Sequence, residues 1–418
     1  MNNKEFKYLK INDRVHIIAY EIDRASARVK IMYHAGGSWN EQDQDRGKKH
    51  LLEHCIVART KVMNYEQVKD WTRKNDIFLN AGTGPVSMNV NGQCHFSDLM
   101  PTFRALWEMA IHPTFDQSDL DREKAIVLRE ISHRSGNPDY KLHFEIMKAI
   151  YTPDSVQNFP VLGDPEMVKM TTLADFQRLN QQNLDQSQLL ITVSGRGIDL
   201  DQIQSLVSQQ ISNHSPLDLD FEPTSILKDF KFLPFVHEFA HEHAEATFII
   251  PALVDHGNRE VRAIISNLFF YNHGLIYERL REEKQLIYSM SSSFGINPAI
   301  LEIELQAEAK YIVEIKINIL DILNNYEQYL SEQKFEEFKQ IYLKREEIQA
   351  DAANFVTGFT KGNLLSYNVY DEFKDFSKRV QATTFEHVKD YLEMLKGNLD
   401  KMQILVVSKD SKINDLAL

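Results

Sequence analysis

The sequence predicts an α+β protein built from two similar domains. Three observations support this fold class. The chain has 418 residues, whereas a single domain with one packed core usually has about 100–200. Each half mixes alternating apolar runs, typical of half-buried strands, with longer amphipathic runs, typical of helices. Segments of the first half also recur in the second.

The internal repeat is clearest near the end of each half. Residues 171–185 begin with Thr-Thr-Leu, continue as a helical pattern, end with Asn-Leu-Asp and lead into the apolar run LLITVS at 189–194. Residues 383–400 begin with Thr-Thr-Phe, end with the same Asn-Leu-Asp and lead into ILVVS at 404–408. An ancestral duplication explains this correspondence, because self-similarity at a fixed offset marks a repeated structural unit.

The other elements follow the same order in both halves. Each half begins with two alternating, strand-like runs, which start at Val15 and at Val236. Amphipathic periodicity then predicts helices, for example over 97–111, 120–135 and 309–330. We therefore expect each domain to be an antiparallel-rich β-sheet with helices packed on it.

The two domains are expected to meet at a segment of weak periodicity. Residues 212–231 contain Pro216 and Pro223 and carry no regular apolar pattern. This places the boundary between an N-terminal domain, 1–222, and a C-terminal domain, 223–418.

Composition and charge exclude several classes of function. The net charge of −13 repels phosphate backbones and anionic lipid headgroups, so we expect neither nucleic acid nor membrane as a partner. The two cysteines, Cys55 and Cys94, fit neither a disulfide framework nor a four-thiolate zinc site. The charged N-terminus lacks the apolar run of a signal peptide, and no apolar stretch approaches about 18 residues. We expect a soluble, cytoplasmic protein.

Residues 50–54 form the pattern HxxEH, the signature of inverted zinc-peptidase sites. On a helix, His50 and His54 share a face at i and i+4, and Glu53 lies beside them. Two imidazoles could then hold one Zn²⁺ at about 2.0–2.1 Å, with a carboxylate next to the metal. Two surface histidines placed by chance would give the same letters.

A catalytic zinc site needs a third protein ligand and one open position. Residues 120–130 predict a helix with Glu123, Val127 and Glu130 on one face. Glu130 could supply the third ligand, and Glu123 a contact behind the ligands. A solvated surface helix held by salt bridges is the alternative interpretation.

A second histidine motif competes for a metal. His237 and His241 stand in an HExxH pattern, and His243 follows. This chemistry also requires a helix, but Pro234 precedes the motif and a strand-forming run follows it. On a strand, His237 and His241 would lie about 13 Å apart, too far to share one ion. We expect the catalytic site elsewhere, and a regulatory or adventitious metal at these histidines stays open.

With these motifs in view, the chain resembles the pitrilysin or insulinase-like family of zinc peptidases, the inverzincins. It is most similar to the branch of subunits of about this mass that includes mitochondrial processing peptidase and its bacterial relatives. The likeness runs from about 29 to 408. In the family a Gly-Ser-x-x-Glu segment leads into the HxxEH helix, and residues 37–41 match it. The family's distal ligand stands in a Val-x-x-Glu-[Ile/Leu] context, which Glu130 matches, and Glu123 matches the accompanying carboxylate.

Further motifs extend the resemblance over both halves. Asn80 and Ala81 match the family's Asn-Ala-x-Thr strand, which pairs with the substrate backbone as an added strand. Arg281 and Tyr288 match the family's Leu-Arg and Tyr segment, whose side chains bind the substrate carbonyl or the tetrahedral oxyanion. Without the resemblance, these two residues are a surface cation and a strand aromatic. The chain departs from the family at Lys49, which we expect to point off the ligand face.

The resemblance implies a zinc metalloendopeptidase, a hydrolase that cleaves peptides or unfolded segments inside a closed chamber. One Zn²⁺ per chain would activate a water and polarise the scissile carbonyl, with Glu53 as general base. The metal ligands would be His50, His54 and Glu130. Catalytic roles fall to Glu53, Glu123, Arg281 and Tyr288, and substrate-binding roles to Asn80, Ala81, Arg281 and Tyr288.

Active relatives enclose their substrate between two such two-domain subunits, so the resemblance implies a homodimer, with a heterodimer of related subunits as the alternative. A catalytically silent scaffold or partner subunit of the same fold is the alternative function. A plain metal-binding or peptide-carrying module is a third hypothesis. Glu53 separates this last hypothesis from a peptidase, because metal binding alone does not require a general base.

Overall fold

The computed structural model describes residues 5–211, 225–241, 243–350, 353–367 and 369–418. They fall into two compact units. Unit 1 lies within Met1–Asn137 and Asp154–Thr224, and unit 2 within Pro138–Pro153 and Ser225–Leu418. The boundary predicted near residue 222, with most of the predicted linker, lies outside the described residues.

The sheet of unit 1 has six strands among the described residues, and all neighbours but one are antiparallel. In chain order the strands are β1 (Glu5–Lys10), β2 (Val15–Glu21), β3 (Ser26–His34), β4 (Phe78–Thr83), β5 (Ser87–His95) and β6 (Gln188–Gly195). Their order across the sheet is β1-β2-β6-β3-β5-β4, with β2 and β6 parallel. Within the described ranges, β4 is therefore an outer strand of this sheet.

The helices of the first half include one that packs in unit 2, α5. They are α1 (Lys48–Ile56), α2 (Tyr65–Asn75), α3 (Leu99–Ile111), α4 (Gln117–Gly136), α5 (Pro138–Ile150), α6 (Pro165–Met170), α7 (Leu173–Gln186) and α8 (Leu200–Gln210). Short 3-10 turns lie at Ser38–Asn40, Asp43–Asp45, Phe96–Asp98 and Val156–Asn158.

The sheet of unit 2 has five strands among the described residues. They are β7 (Phe232–Val236), β8 (Ala244–Pro251), β9 (Ile287–Gly295), β10 (Ile300–Ala307) and β11 (Gln403–Ser408). Their order is β7-β11-β8-β10-β9, with β7 and β11 parallel and the other neighbours antiparallel.

The second half of the chain contributes further helices to unit 2. They are α9 (Arg259–Ile265), α10 (Leu275–Tyr277), α11 (Ile312–Asn324), α12 (Tyr326–Tyr329), α13 (Glu332–Gln349), α14 (Ala353–Tyr367), α15 (Phe373–Ala382) and α16 (Phe385–Lys396). Ser266–Phe270 and Glu278–Glu283 are π-helical, and 3-10 turns lie at His256–Asn258, Ala309–Tyr311, Leu399–Lys401 and Ser411–Asp415.

The two sheets repeat one strand order, which confirms the predicted α+β fold of two similar domains. Without the outer strand β1, the series β2-β6-β3-β5-β4 corresponds to β7-β11-β8-β10-β9. The repeated Thr-Thr segments begin α7 and α16 through the same device, a capping box formed by Thr172 with Asp175 and by Thr384 with His387. Each of these helices leads into the strand that pairs in parallel, β6 or β11.

Two predicted elements of unit 2 have different bounds in the structure. The strand expected from Val236 instead ends there, because β7 pairs with β11 over 232–236 and a turn closed by a hydrogen bond from Ala240 N to His237 O follows. The single helix expected over 309–330 is broken at Asn325, whose backbone leaves the helical conformation. The helices expected over 97–111 and 120–135 correspond to α3 and α4.

Each unit has a core between its sheet and its helices. Ile31 of β3, Phe103 of α3 and Phe176 of α7 are fully buried in unit 1. Phe248 of β8 and Phe335 of α13 are fully buried in unit 2. Each such side chain contributes about 1.5–3 kcal/mol to stability by leaving water. Among the described residues, every helix is too short or too polar to cross a lipid bilayer.

Candidate metal centre

Two packed helices of unit 1, α1 and α4, bring the predicted ligands together. His50 Nε2 and His54 Nε2 each lie 3.7 Å from Glu130 Oε2. The ligand atoms of the three residues all lie within 4.8 Å of one another. Within the described part of the chain, no other set of histidine, cysteine, aspartate or glutamate side chains forms such a group. The two histidines share a helix face, and Glu130 reaches them from the neighbouring helix.

This donor set fits a single transition-metal ion. Two imidazole nitrogens and one carboxylate oxygen are the ligands of a three-residue catalytic zinc site, which leaves a coordination position open. The Nδ1 atom of His50 is buried and has no hydrogen-bond partner among the described residues. The other ring nitrogen, Nε2, faces Glu130. It is therefore the atom through which His50 would bind a metal ion.

Glu123 fixes the orientation of His54. Its Oε2 atom lies 3.2 Å from His54 Nδ1, and Arg122 Nε donates to its Oε1 atom at 3.0 Å. With the proton of the imidazole on Nδ1, facing Glu123, the lone pair on Nε2 faces Glu130. A carboxylate behind a histidine ligand sets the tautomer and raises the basicity of the ligand nitrogen.

The two histidines differ in proton affinity because their charged neighbours differ. Burial and the adjacent His54 lower the pKa of His50 to about 4, so this ring is neutral at pH 7 and available as a ligand. Burial opposes protonation of His54 too, but its hydrogen bond to Glu123 and the charges of Glu53 and Glu130 outweigh burial and raise its pKa. For Glu123, burial is likewise outweighed by the hydrogen bonds from His54 and Arg122, and its pKa is lowered.

The carboxyl group of Glu53 has an elevated pKa. Burial is the main cause, and hydrogen bonds from the side chain and backbone of Thr83 oppose it. Thr83 ends β4, against which α1 packs. A carboxylate whose proton affinity is shifted toward neutral pH is suited to accept and return a proton.

The chain matches two descriptions of one peptidase family. Residues 15–160 match "Insulinase (Peptidase family M16)", and residues 172–342 match "Peptidase M16 inactive domain". The chain belongs to the M16 family. The first match contains every residue of the candidate metal centre.

Curated relatives of this M16 chain share limited identity with it. A protein named "Uncharacterized zinc protease" from Rickettsia felis is 20% identical over 251 residues, 56% of this chain and 60% of the relative. The mitochondrial-processing peptidase subunit beta of Blastocladiella emersonii is 23% identical over 159 residues, 38% of this chain and 34% of the relative. These matches therefore span less than two thirds of the relatives' own length.

Solved structures share the fold over nearly the whole M16 chain. A protease from Helicobacter pylori has a TM-score of 0.74 at 14% identity, covering 97% of this chain and 100% of the other. The periplasmic protease PqqL from Escherichia coli has a TM-score of 0.76 at 14% identity, covering 100% of this chain and 49% of the other. At this identity the likeness shows the fold alone.

The substrate strand expected from the resemblance lies on the free edge of the first sheet. In β4, Asn80 is exposed and Ala81 is buried. Among the described residues the strand pairs with β5 alone, and its outer edge faces no other strand. Such an edge can accept an added strand.

Arg281 and Tyr288 belong to unit 2, where they line one pocket of about 450 Å³ together with Glu308 and Tyr311. The guanidinium of Arg281 donates to the carbonyl of Ile287 at 2.6 Å. Tyr288, the second residue of β9, is 45% exposed. The predicted residues thus divide between the units, with the metal-binding group and β4 in unit 1 and this pair in unit 2.

The HExxH residues of unit 2 lie on a turn rather than on a helix. His237 Nε2 pairs with Glu145 of α5 at 2.9 Å, and His241 Nε2 with Glu245 at 3.5 Å. The ring of His243 contacts that of Tyr288 at a tilt of 37°, with the ring centroids 4.1 Å apart. Each histidine thus has its own neighbour, and the three do not converge on a common point.

Sequence reasoning assigned no structural role to two buried charged residues near the start of α1, Glu41 and Lys49. The carboxylate of Glu41 accepts hydrogen bonds from Gly47 N at 3.0 Å and from Lys49 N at 2.7 Å. Lys49 does not extend into solvent, because it is buried and donates from Nζ to the carbonyl of Gly37 at 3.2 Å. Burial raises the pKa of Glu41 and lowers that of Lys49. The Gly-Ser-x-x-Glu match was the available signal, but it carried no physical role.

Proposed function

We propose that this M16 chain is a zinc-dependent endopeptidase that hydrolyses peptides or unfolded polypeptide segments. The observation that carries the proposal is the group formed by His50, His54 and Glu130, with Glu53 of raised pKa on the same helix. Three ligands suffice to hold zinc and leave one coordination position open. Metal binding alone does not require Glu53, whereas hydrolysis requires a general base.

In the proposed mechanism zinc, when bound, supplies Lewis acidity that activates a water and polarises the scissile carbonyl. Proton transfer and the orientation of the ligands are assigned to residues of the chain. Glu53 accepts the proton of the attacking water and returns it to the leaving amine. Glu123 keeps the Nδ1 proton of His54 in place, so that Nε2 stays a ligand.

The outer strand β4 is the proposed docking edge for the substrate. A peptide added there would be held through outward-facing main-chain groups of the segment that contains Asn80 and Ala81, with limited dependence on its sequence. Arg281 and Tyr288 are the proposed donors to the oxyanion, a role that rests on the family resemblance.

We propose a homodimer that encloses its substrate, with a heterodimer as the alternative. The mitochondrial-processing peptidase relative is named as a subunit. The molecular mass of the fully active enzyme, measured by light scattering, tests this assembly, and a monomeric mass contradicts it. The cytoplasmic location predicted from the sequence belongs to the same proposal, and cell fractionation tests it.

A catalytically silent scaffold of the same fold is the second candidate. The description "inactive domain" for residues 172–342 favours it. That segment, however, contains none of the ligands, which all lie within residues 15–160. Because a silent subunit has no use for the ligands and general base, their presence favours the peptidase.

The deciding experiment combines metal analysis with cleavage of a mixed quenched peptide library, with and without a chelator. We expect one zinc per chain and cleavage that the chelator abolishes. Glu53→Gln should retain zinc and lose cleavage by about 10²–10⁴-fold, because the general base is gone. Glu66→Gln, on the exposed face of α2, is the matched control and should cleave like the wild type. Normal cleavage by Glu53→Gln would refute the general-base role, and bound zinc without cleavage by the wild type would favour the scaffold.

A further inference from the structure

The metal-binding helix α1 begins without a local cap. Gly47 precedes it with φ of +89°, and no side chain at this position satisfies the first amides of the helix. The carboxylate of Glu41 does so from a distance, with one oxygen on Gly47 N and the other on Lys49 N. Because the helix dipole is positive at this end, a carboxylate there is also favourable electrostatically.

Lys49 makes a second contact between the first turn of α1 and the loop that contains Glu41. Its Nζ atom donates to Gly37 O, and both charged side chains are at most 5% exposed. The loop 37–41 and the first turn of α1 therefore hold each other through buried charged groups. Buried charges persist in proteins only where partners compensate them, so each group depends on this arrangement.

The same loop is attached to the turn between β4 and β5. Gly37 N donates to Val86 O at 3.2 Å, and Trp39 N to Pro85 O at 2.9 Å. A Cβ on Gly37 would lie 2.3 Å from Pro85 O, so only glycine allows this approach. Since Thr83 at the end of β4 bonds Glu53, the loop connects the start of the ligand helix to the strand that orients the general base.

We propose that Glu41 and Lys49 are positioning residues of the metal centre, which set the place of α1 relative to α4 and β4 without touching metal or substrate. This inference rests on the proposed metal site. His50 directly follows Lys49, so a displaced first turn moves one ligand away from Glu130. Ligand geometry tolerates about 0.5 Å of error, so a larger shift of this turn, after loss of a hydrogen bond to Glu41, would weaken metal binding.

The corresponding helix of unit 2 has no such arrangement. The 3-10 turn before α9 is capped locally, by Asp255 and Asn258 in a capping box. No metal-binding group is found among the described residues of unit 2. The distant carboxylate is thus a feature of the helix that carries the proposed ligands, whereas in unit 2 the capping box closes the 3-10 turn and Asn258, at the start of α9, makes no side-chain capping hydrogen bond to that helix.

The test is the zinc affinity of the folded Glu41→Gln variant, measured by competition with a chromophoric chelator. Glutamine keeps the size of the side chain but has one acceptor oxygen for two amides. We expect the dissociation constant of zinc to rise about 10–100-fold, the range typical of groups behind metal ligands. The rate constant kcat should fall with it, while KM changes little. Lys49→Met should act in the same direction.

Glu260→Gln is the matched control, because Glu260 is a buried carboxylate in the first turn of α9, paired with Arg379. It should lower the unfolding midpoint and leave zinc affinity unchanged. If folded Glu41→Gln binds zinc like the wild type, the positioning role is overturned. If this variant does not fold, Glu41→Asp decides, since its shorter side chain cannot reach both amides, and wild-type zinc affinity there has the same meaning. A wild type that binds zinc without cleaving peptides would end the proposed peptidase function but leave this affinity comparison intact.

Discussion

Unit 1 and unit 2 share a strand order but differ at one corresponding place. In unit 1, α1 packs against α4 and α7, and in unit 2, α9 packs against α13 and α16. The first place holds the group of His50, His54 and Glu130. In the second, Arg379 pairs with both Glu260 and Asp371. The same scaffold position therefore carries the proposed ligand group in one unit and an ion-pair cluster in the other.

The difference lies in how the buried carboxylates are compensated. In unit 2 arginines neutralise them, and Arg259 adds a second pair with Asp371 at 3.3 Å. Among the described residues, the partners of Glu130 are two histidines, His50 and His54, and His50 is neutral at pH 7. The cluster of unit 2 contains its own cations and needs no further one. The nitrogen and oxygen donors of unit 1 lack such a cation, so they fit a bound metal ion.

The largest expected effect comes from removing a histidine in each unit. His54→Ala should weaken zinc binding by on the order of 10³-fold and abolish cleavage, because a ligand is worth more than the 10–100-fold of a group behind it. His256→Ala removes the histidine beside Asp371 in unit 2 and should change neither. Isothermal titration of both metal-free variants with zinc makes the comparison. Equal zinc affinity in the two variants would break the assignment of the ligand group to unit 1.

A smaller effect is expected at the oxyanion donor proposed for unit 2. Tyr288→Phe should lower kcat by about 10²–10³-fold, the loss typical of one oxyanion donor, and leave zinc content unchanged. Tyr271, also half exposed in unit 2, gives the matched control Tyr271→Phe. Steady-state cleavage with metal analysis separates the two variants. Unchanged kcat in Tyr288→Phe would leave unit 2 without this catalytic role.

The smallest expected effect is on stability in acid. It concerns Asp175, which stands at the third helical position in the capping box of α7. Asp175 bonds Thr172, Lys48 and Arg178, and although burial opposes ionisation, these bonds hold its pKa well below its ordinary value of 3.8. A lowered pKa stabilises the fold above pH 3.8, and this stabilisation is lost as the pH falls through the folded-state pKa. Asp175→Asn should therefore cost about 1 kcal/mol at pH 7 and less at pH 3.

Urea unfolding at both pH values measures this difference. In unit 2, Asp375 has its pKa lowered by an exposed pair with Lys378, so Asp375→Asn is the control and should have the smaller effect. An Asp175→Asn penalty that does not shrink in acid would contradict the linkage to its carboxylate.

Local patterns predicted the elements near the centre well. The spacing in HxxEH placed two histidines on one helix face, and the Thr-Thr segments marked the starts of α7 and α16, because helix periodicity and capping act within a few residues. The turn at His237 was less predictable, since the end of β7 is set by its pairing with β11, far along the chain. Nothing local indicated that α5 packs in unit 2.

The sequence by itself determined the two-domain α+β fold, the repeat and the residue types of the ligand group, because periodicity, caps and motif spacing are local properties of the chain. Only the tertiary structure decided that Glu130 meets both histidines, that Glu123 sets the tautomer of His54, and that Glu41 caps α1. These contacts join segments that are distant in sequence or that lack a local rule. Their energies depend on burial and on the positions of partner atoms, which exist only after the chain has packed.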